Sequence, residues 1–303
     1  GSAEALEVER EWITKAQRIE KALGCGREGG VGYYPSKNRL LLLCTSVLEV
    51  VNSRVELNST STSSGMVLPP DHIFFPGMGT DATALPARTI VRSLTTAKCS
   101  SWLFAGVYAQ PGQIVNITIP QALTTEGMRV MVGTHGDSLW GRSTKKRQPF
   151  PMKFRTDITE SVTRVAHPHG GPMYLYFPYQ MVAGAKTECG KPGKNVTVEA
   201  TFANVLPALH FELGVTDKAA WDASRADAAT GPWAGISSAS HFMDVPAFDI
   251  KDKSFAEIKE TAQLWQGVTD DFGYFRGLAA DGRGYWMQVI WVIAVLRLLI
   301  IRV

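Results

Sequence analysis

What this sequence has little of narrows its function before any motif is read. Cysteine is scarce: Cys25, Cys44, Cys99 and Cys189 lie far apart with no Cys-x-x-Cys spacing, which excludes a zinc knuckle and a thioredoxin-like centre. They allow several disulfide pairings and require none. An excess of one charge is also absent. The 31 basic and 28 acidic side chains leave a formal charge of +3 without a dominant run, so there is no broad field for nucleic acid and no nucleic-acid partner is expected. Lys145-Lys146-Arg147, the one tight basic cluster, reads as a solvated loop.

Several catalytic signatures are missing as well. No Gly-x-Ser-x-Gly elbow occurs, so Ser/His/Asp chemistry has no support. Gly26, Gly29, Gly30 and Gly32 crowd one stretch, but no Gly-Lys-Ser/Thr follows to hold phosphate and magnesium; this is a flexible loop. No pair of carboxylates stands out for glycoside hydrolysis. The first residues, Gly1-Ser2-Ala3-Glu4, have no basic or apolar region of a signal peptide, so none is visible in this sequence, which leaves room for one removed ahead of it. Long apolar runs are few. Leu40 to Val51 suits a buried element. Met287 to Val303 as a helix would cover only ~25 Å of a hydrocarbon core of ~30 Å, with Arg297 in its inner half. A membrane partner is therefore expected only if this tail is native.

What is present is mostly β. With 45% hydrophobic residues the chain can fill a core. Ala3 to Leu23 places Trp12, Ala16, Ile19 and Leu23 at helical spacing before Gly24, which predicts an amphipathic packing helix. Asn58 to Gly65 is nearly all Ser and Thr, a linker. From Phe75 to Val245 short β-branched runs alternate with Pro and Gly in the manner of a sandwich. Strands are predicted over Thr89–Leu94, Gln113–Ile119, Met128–Val132, Ser161–Val165, Met173–Phe177 and Asn195–Phe202. Lys253 to Trp265 then sets Phe255, Ile258, Ala262 and Trp265 at helical spacing.

The order of motifs resembles a known family. Gly106-Val-Tyr108-Ala-Gln-Pro111-Gly112 precedes a Val/Ile strand, Gly133-Thr-His135-Gly-Asp137 leads to Leu139-Trp140, and Thr163-Arg164 comes before Gly170-Gly171 and Tyr174. Further on stand Leu209-His-Phe211-Glu-Leu213-Gly214-Val-Thr216, Trp221, Gly231-Pro232-Trp233-Ala234 and Val245-Pro246. Over roughly Phe75 to Trp265 this is similar to the leading β subdomain of the enhancin-like, mucin-degrading zinc metallopeptidases (peptidase family M-sixty). Family members cleave protein with a zinc held by His-Glu-x-x-His on a helix. None of His72, His135, His167, His169, His210 and His241 is followed by Glu. The resemblance thus implies the non-catalytic front part of such a domain, inactive as given, with no metal ligand and no cofactor here; zinc is expected only in a full-length member. Tyr285 to Val289 sits about where the family has the segment before its zinc helix, so residues 289–303 read as an apolar tail of different origin.

The expected fold class is mostly β, a β-sandwich-like domain with an N-terminal helical segment and a short C-terminal helical part, α+β overall. Residues 1–65 form the N-terminal segment and linker, 66–250 the sandwich-like subdomain, 251–288 a truncated start of a helical subdomain, and 289–303 the tail. Candidate ligand contacts are Tyr108, His135, Asp137, Trp140, Arg142, Arg164 and Trp233. His135 and Asp137, and His167 with His169, also have chelating spacing, yet their glycines and proline favour turns. Tyr174 and Tyr176 join the aromatic residues near turns, where rings can stack on sugars or fill the core. Asn58, Asn116 and Asn195 head glycosylation sequons. The alternatives to a peptidase part are a glycan- or peptide-binding module, with glycoprotein or mucin-type glycans as partners, or a scaffold like the channel-associated factors among animal relatives. The resemblance favours a secreted or cell-surface place and leaves a cytosolic one open.

Overall fold

The computed structural model describes residues 61–69, 72–73, 75–96, 101–137, 152–178, 196–238 and 241–275, with Asn52, Val55, Leu57 and three short pieces at Tyr34–Pro35, Thr144–Lys145 and Met287–Ile290. The predicted N-terminal helix, the glycine-rich loop, Leu40–Val51 and the tail beyond Ile290 lie outside these residues. So do the four cysteines, Asn58, Asn195, Trp140 and Arg142.

β1 (Tyr34–Pro35) and β6 (Thr144–Lys145) form a small ladder of their own. The main sheet takes β2 (Arg88–Thr96), β3 (Ser101–Ala109), β4 (Val115–Thr118), β5 (Arg129–His135), β7 (Met152–Asp157), β8 (Val162–Val165), β9 (Gly171–Phe177) and β10 (Val196–Pro207). Their order is β7-β5-β9-β3-β10-β4-β8, with β2 on the other edge of β10. β10 makes this one sheet curl into a sandwich. Val196 to Phe202 pair with β2 and, in part, β4, whereas Leu206 and Pro207 pair with β3. Between them Asn204 takes a left-handed backbone at φ 65°, a conformation Asn tolerates better than most residues. Its side-chain amide donates to the Ile114 carbonyl at 2.8 Å and to Thr62 at 3.2 Å. A bulge of this kind is how a strand passes from one sheet layer to the next.

Alternation along the strands fills the space inside. Val130 and Val132, Met173, Leu175 and Phe177, and Val198, Ala200 and Phe202 point inward from β5, β9 and β10. The intervening Met131, Phe104 and Tyr174 point the other way and are buried too. The β5–β9–β3 half is therefore covered on both faces. Its second cover is a smaller sheet ordered β11-β12-β13-β14, made from His210–Glu212, Trp233–Ser237, His241–Pro246 and Met287–Ile290.

In that sheet β11 and β12 run parallel, joined through helix α1 (Lys218–Ala226), and β13 and β14 run parallel, joined through α2 (Ala247–Ile250) and α3 (Phe255–Phe275). Parallel neighbours require such crossovers. Asp217 caps α1 by accepting from the Ala220 N–H at 2.8 Å. Ser254 and Glu257 form a capping box on α3, the Ser254 N–H reaching Glu257 Oε2 at 2.8 Å and the Glu257 N–H reaching Ser254 Oγ at 3.3 Å. The helical face of the sheet buries Phe211, Trp221, Ile236, Met243, Val245 and Ile258 together. The predicted helix over Lys253–Trp265 is real and runs ten residues further, to Phe275.

The Gly133 and Gly170-Gly171 motifs are sites of close backbone approach. Gly133 (φ 79°) sits in the β5 bulge, where an added Cβ would meet the Met152 carbonyl oxygen, and a Cβ on Gly171 would lie 2.7 Å from Gly133 itself. Backbone cannot move aside as a flexible side chain can. Gly133→Ala is expected to lower the unfolding free energy by about 2 kcal/mol or more; urea titration of both proteins measures it, and a loss within error would show that β5 relaxes around the methyl.

Candidate functional site

The predicted contact residues that the structure describes do not gather at one place. Tyr108 is fully buried beside Leu206 and Trp233, and burial pushes its phenol up. Trp233 is buried as well and donates Nε1–H to the Pro76 carbonyl at 2.5 Å. These two rings serve the core and present no face to solvent. His135 is half-buried, edge-on to Phe75 at 4.7 Å and to Trp233 at 5.0 Å. Asp137 is exposed, and its charge acts on the Lys153 ammonium. Arg164 is exposed on β8, opposite Asn116, at the other end of the strand order from β5. Tyr176 stacks at 5.2 Å on Trp102 and lies under the Arg129 guanidinium.

Among the described residues the histidines do not build a metal centre either. His167 and His169 are buried with ring centroids 5.4 Å apart, and His167 Nδ1 bonds the Gly170 carbonyl. His72 Nδ1 bonds the Pro69 carbonyl at 2.7 Å. Among the described residues no three His, Cys, Asp or Glu side chains are placed to hold an ion. The described residues therefore do not fit a catalytic zinc, which needs three protein ligands and an open position.

Polar groups do converge in a cavity of about 480 Å³ between the sandwich and the small sheet. One wall is β2 and β3. At the β3 bulge Gly106 (φ 64°) turns its own carbonyl and that of Ala105 toward Arg92, which donates Nη2–H to Gly106 at 3.1 Å and Nε–H to Ala105 at 3.3 Å. A side chain at Gly106 would press on that guanidinium. The opposite wall is β11 with its neighbours. His210 and Glu212 leave one face of β11 while Phe211 enters the helical core between them. His210 shares a hydrogen bond of 2.9 Å with Ser237 Oγ and lies edge-on to Phe104. Burial, and then the Arg92 charge, push the His210 imidazole down to about 4, and burial pushes the Glu212 carboxyl up. The imidazole is thus neutral near pH 7.

Sequence reading assigned no role to Arg92, His210, Glu212 or Ser237. The signal was present for two of them: Leu209, Phe211 and Leu213 alternate with His210 and Glu212, a period that puts both polar groups on one face of a strand. Arg92 and Ser237 arrive from segments too distant in sequence for any local pattern to connect.

A family model for the N-terminal domain of M60-like peptidases matches residues 82–187. Those residues are an M60-like N-terminal domain. It contains β2 to β9, hence the Arg92 wall of the cavity, while His210, Glu212 and Ser237 follow it. Among curated proteins, TRPM8 channel-associated factor 3 of Rattus norvegicus is 23% identical over 213 residues, 70% of this chain and 21% of that protein. TRPM8 channel-associated factor 2 of Bos taurus is 24% identical over 171 residues, 56% of this chain and 17% of that one. The chain thus spans about one fifth of the length of these relatives. Among solved structures, the IMPa metallopeptidase from Pseudomonas aeruginosa aligns with a TM-score of 0.46 and 18% identity, over 65% of this chain and 22% of that one. IMPa in complex with an O-glycopeptide aligns with a TM-score of 0.45 and 21% identity, at the same coverage.

In the M60-like domain and the layer that follows it, three imidazoles are held neutral by burial. His167 is pushed down to about 4 against the pull of the Gly170 carbonyl, and His241 to about 4 against the charge of Asp270. His210 belongs with them but is half-buried. Each folded value lies below the unfolded one, so the unfolded chain takes up the protons first. Stability should be complete above pH ~6.5 and fall as pH drops through ~4, by up to about 2 kcal/mol for each fully buried ring. Urea unfolding at neutral and acid pH checks this. His241→Asn should flatten the loss, and an unchanged pH slope would remove His241 from the account.

Proposed function

We propose that this chain is the non-catalytic front part of an enhancin-like zinc metallopeptidase domain directed at glycoproteins, and that as given it does not cleave protein. The M60-like N-terminal domain at residues 82–187 carries the reading. The chemistry of that family needs His-Glu-x-x-His, and no histidine of the 303 residues is followed by Glu. Without it there is neither the paired imidazoles to fix zinc nor the carboxylate to activate water. In this reading the sandwich is a rigid base on which a parallel α/β layer is mounted, ready to present a catalytic element supplied by a longer protein. Exposed Asp137 and Arg164, with Trp140 and Arg142, are the proposed contacts to mucin-type glycans.

The purified chain, given zinc and a mucin-type glycoprotein, should leave the substrate intact by gel and mass spectrometry. Cleavage that stops on adding a chelator would overturn the proposal.

A second reading is favoured by the curated relatives: a scaffold or regulator in the manner of the TRPM8 channel-associated factors. Co-precipitation of the chain with a TRPM8 channel separates the two. Capture without any glycan dependence would support the regulator.

A further inference from the structure

The cavity between the sandwich and the small sheet holds two charges of opposite sign that do not meet. At one end the Arg92 guanidinium spends Nε and Nη2 on the Ala105 and Gly106 carbonyls, and Nη1 has no acceptor among the described residues. At the other end the Glu212 backbone N–H is held by Thr216 Oγ1 at 2.9 Å, yet its carboxylate has no hydrogen bond or ion pair among the described residues. The positive charge is felt at His210, while Glu212 responds to burial alone. Both groups are half-buried, and a charge that loses part of its hydration is stabilised by an opposite charge or a hydrogen-bond partner. Here both residues line the same cavity.

We propose that this cavity binds a dipeptide-sized zwitterion, its carboxylate on Arg92 Nη1 and its ammonium on Glu212. Arg92 on β2 and Glu212 on β11 line this cavity from its two walls. The cavity of about 480 Å³ suits a ligand of that size. Between the charged ends, His210 and the Ser237 hydroxyl offer hydrogen bonds to a peptide unit without adding net charge. Phe104 and Phe242 supply apolar wall for small side chains. A neutral polyol would leave both charges unmatched, a simple anion would leave Glu212 unmatched, and a simple amine would do the same to Arg92. Nothing in this inference needs zinc or cleavage, so it stands apart from the peptidase reading.

Calorimetric titration of the full 303-residue chain with alanyl-alanine, its N-acetylated form, its C-amidated form and galactose tests the idea. The free dipeptide should bind, and each capped form should bind at least tenfold more weakly. Glu212→Gln should treat the free dipeptide as the native chain treats the N-acetylated one. The capped peptides make the comparison on unaltered protein, so the test survives a variant that fails to fold. Equal binding of capped and free forms, heat with galactose alone, or no binding of any probe would each overturn it.

Discussion

One buried hydrogen bond ties the two halves of the molecule. Asp244 on β13 is wholly inaccessible to solvent and accepts from the Tyr174 hydroxyl on β9. Burial and the adjacent Asp244 charge both push the Tyr174 phenol far up, so the tyrosine keeps its proton and donates. A carboxylate removed from water in such a place is tolerable only while its hydrogen-bond partner stays in register. The surrounding rings hold Tyr174 in place. Phe104 packs at 5.4 Å on Tyr174 and at 5.4 Å on Phe242, and Tyr174 meets Phe242 edge-on. Gly235, paired across from Asp244, leaves room for this: a Cβ there would run into the Phe104 and Phe242 rings.

The cavity inherits its shape from the same contact. Phe104 and Phe242 close the aromatic layer on one side and line the cavity on the other. The distance between the β2–β3 wall and the β11 wall is therefore set by ring-on-ring packing, not by the polar groups that face each other. That is why Arg92 and Glu212 can be left apart. Each aromatic side chain in the layer contributes on the order of 1.5–3 kcal/mol through burial, more than two half-solvated charges would gain by moving together across it.

The sandwich was legible wherever β-branched residues gather between turns, as in β2, β4 and β8. β3 was not, because Ser101–Ala109 is built from aromatic, Ala and Gly residues, buried on both faces and broken by a bulge at Gly106. α1 escaped for a different reason: Trp221 is its one buried side chain, too little to make a helical stripe, although Asp217 ahead of Lys218 is a fair N-cap signal. β11 is three residues long, and its parallel pairing with β12 depends on contacts made across an intervening helix. Such pairing has no local signature. The cavity was illegible for the same reason, since its charged ends lie on β2 and β11.

The motifs that carry the family resemblance turn out to specify backbone. Gly106 opens the β3 bulge; Gln110 donates its amide to the Ala82 and Leu85 carbonyls at 2.6 and 2.9 Å; Gly112 exchanges bonds with Ser64 and His167. Gly133 and Gly171 let β5 and β9 touch, and Gly231 lies where any side chain would strike the Tyr108 ring. These positions tolerate few residues because of φ angles and close approach. Chemistry does not enter. A chain can therefore keep the resemblance in full while its activity is decided elsewhere, by the residues facing the cavity and by whatever element the α/β layer carries. Fold membership constrains the platform; Arg92 and Glu212 are where this chain's own recognition chemistry is written.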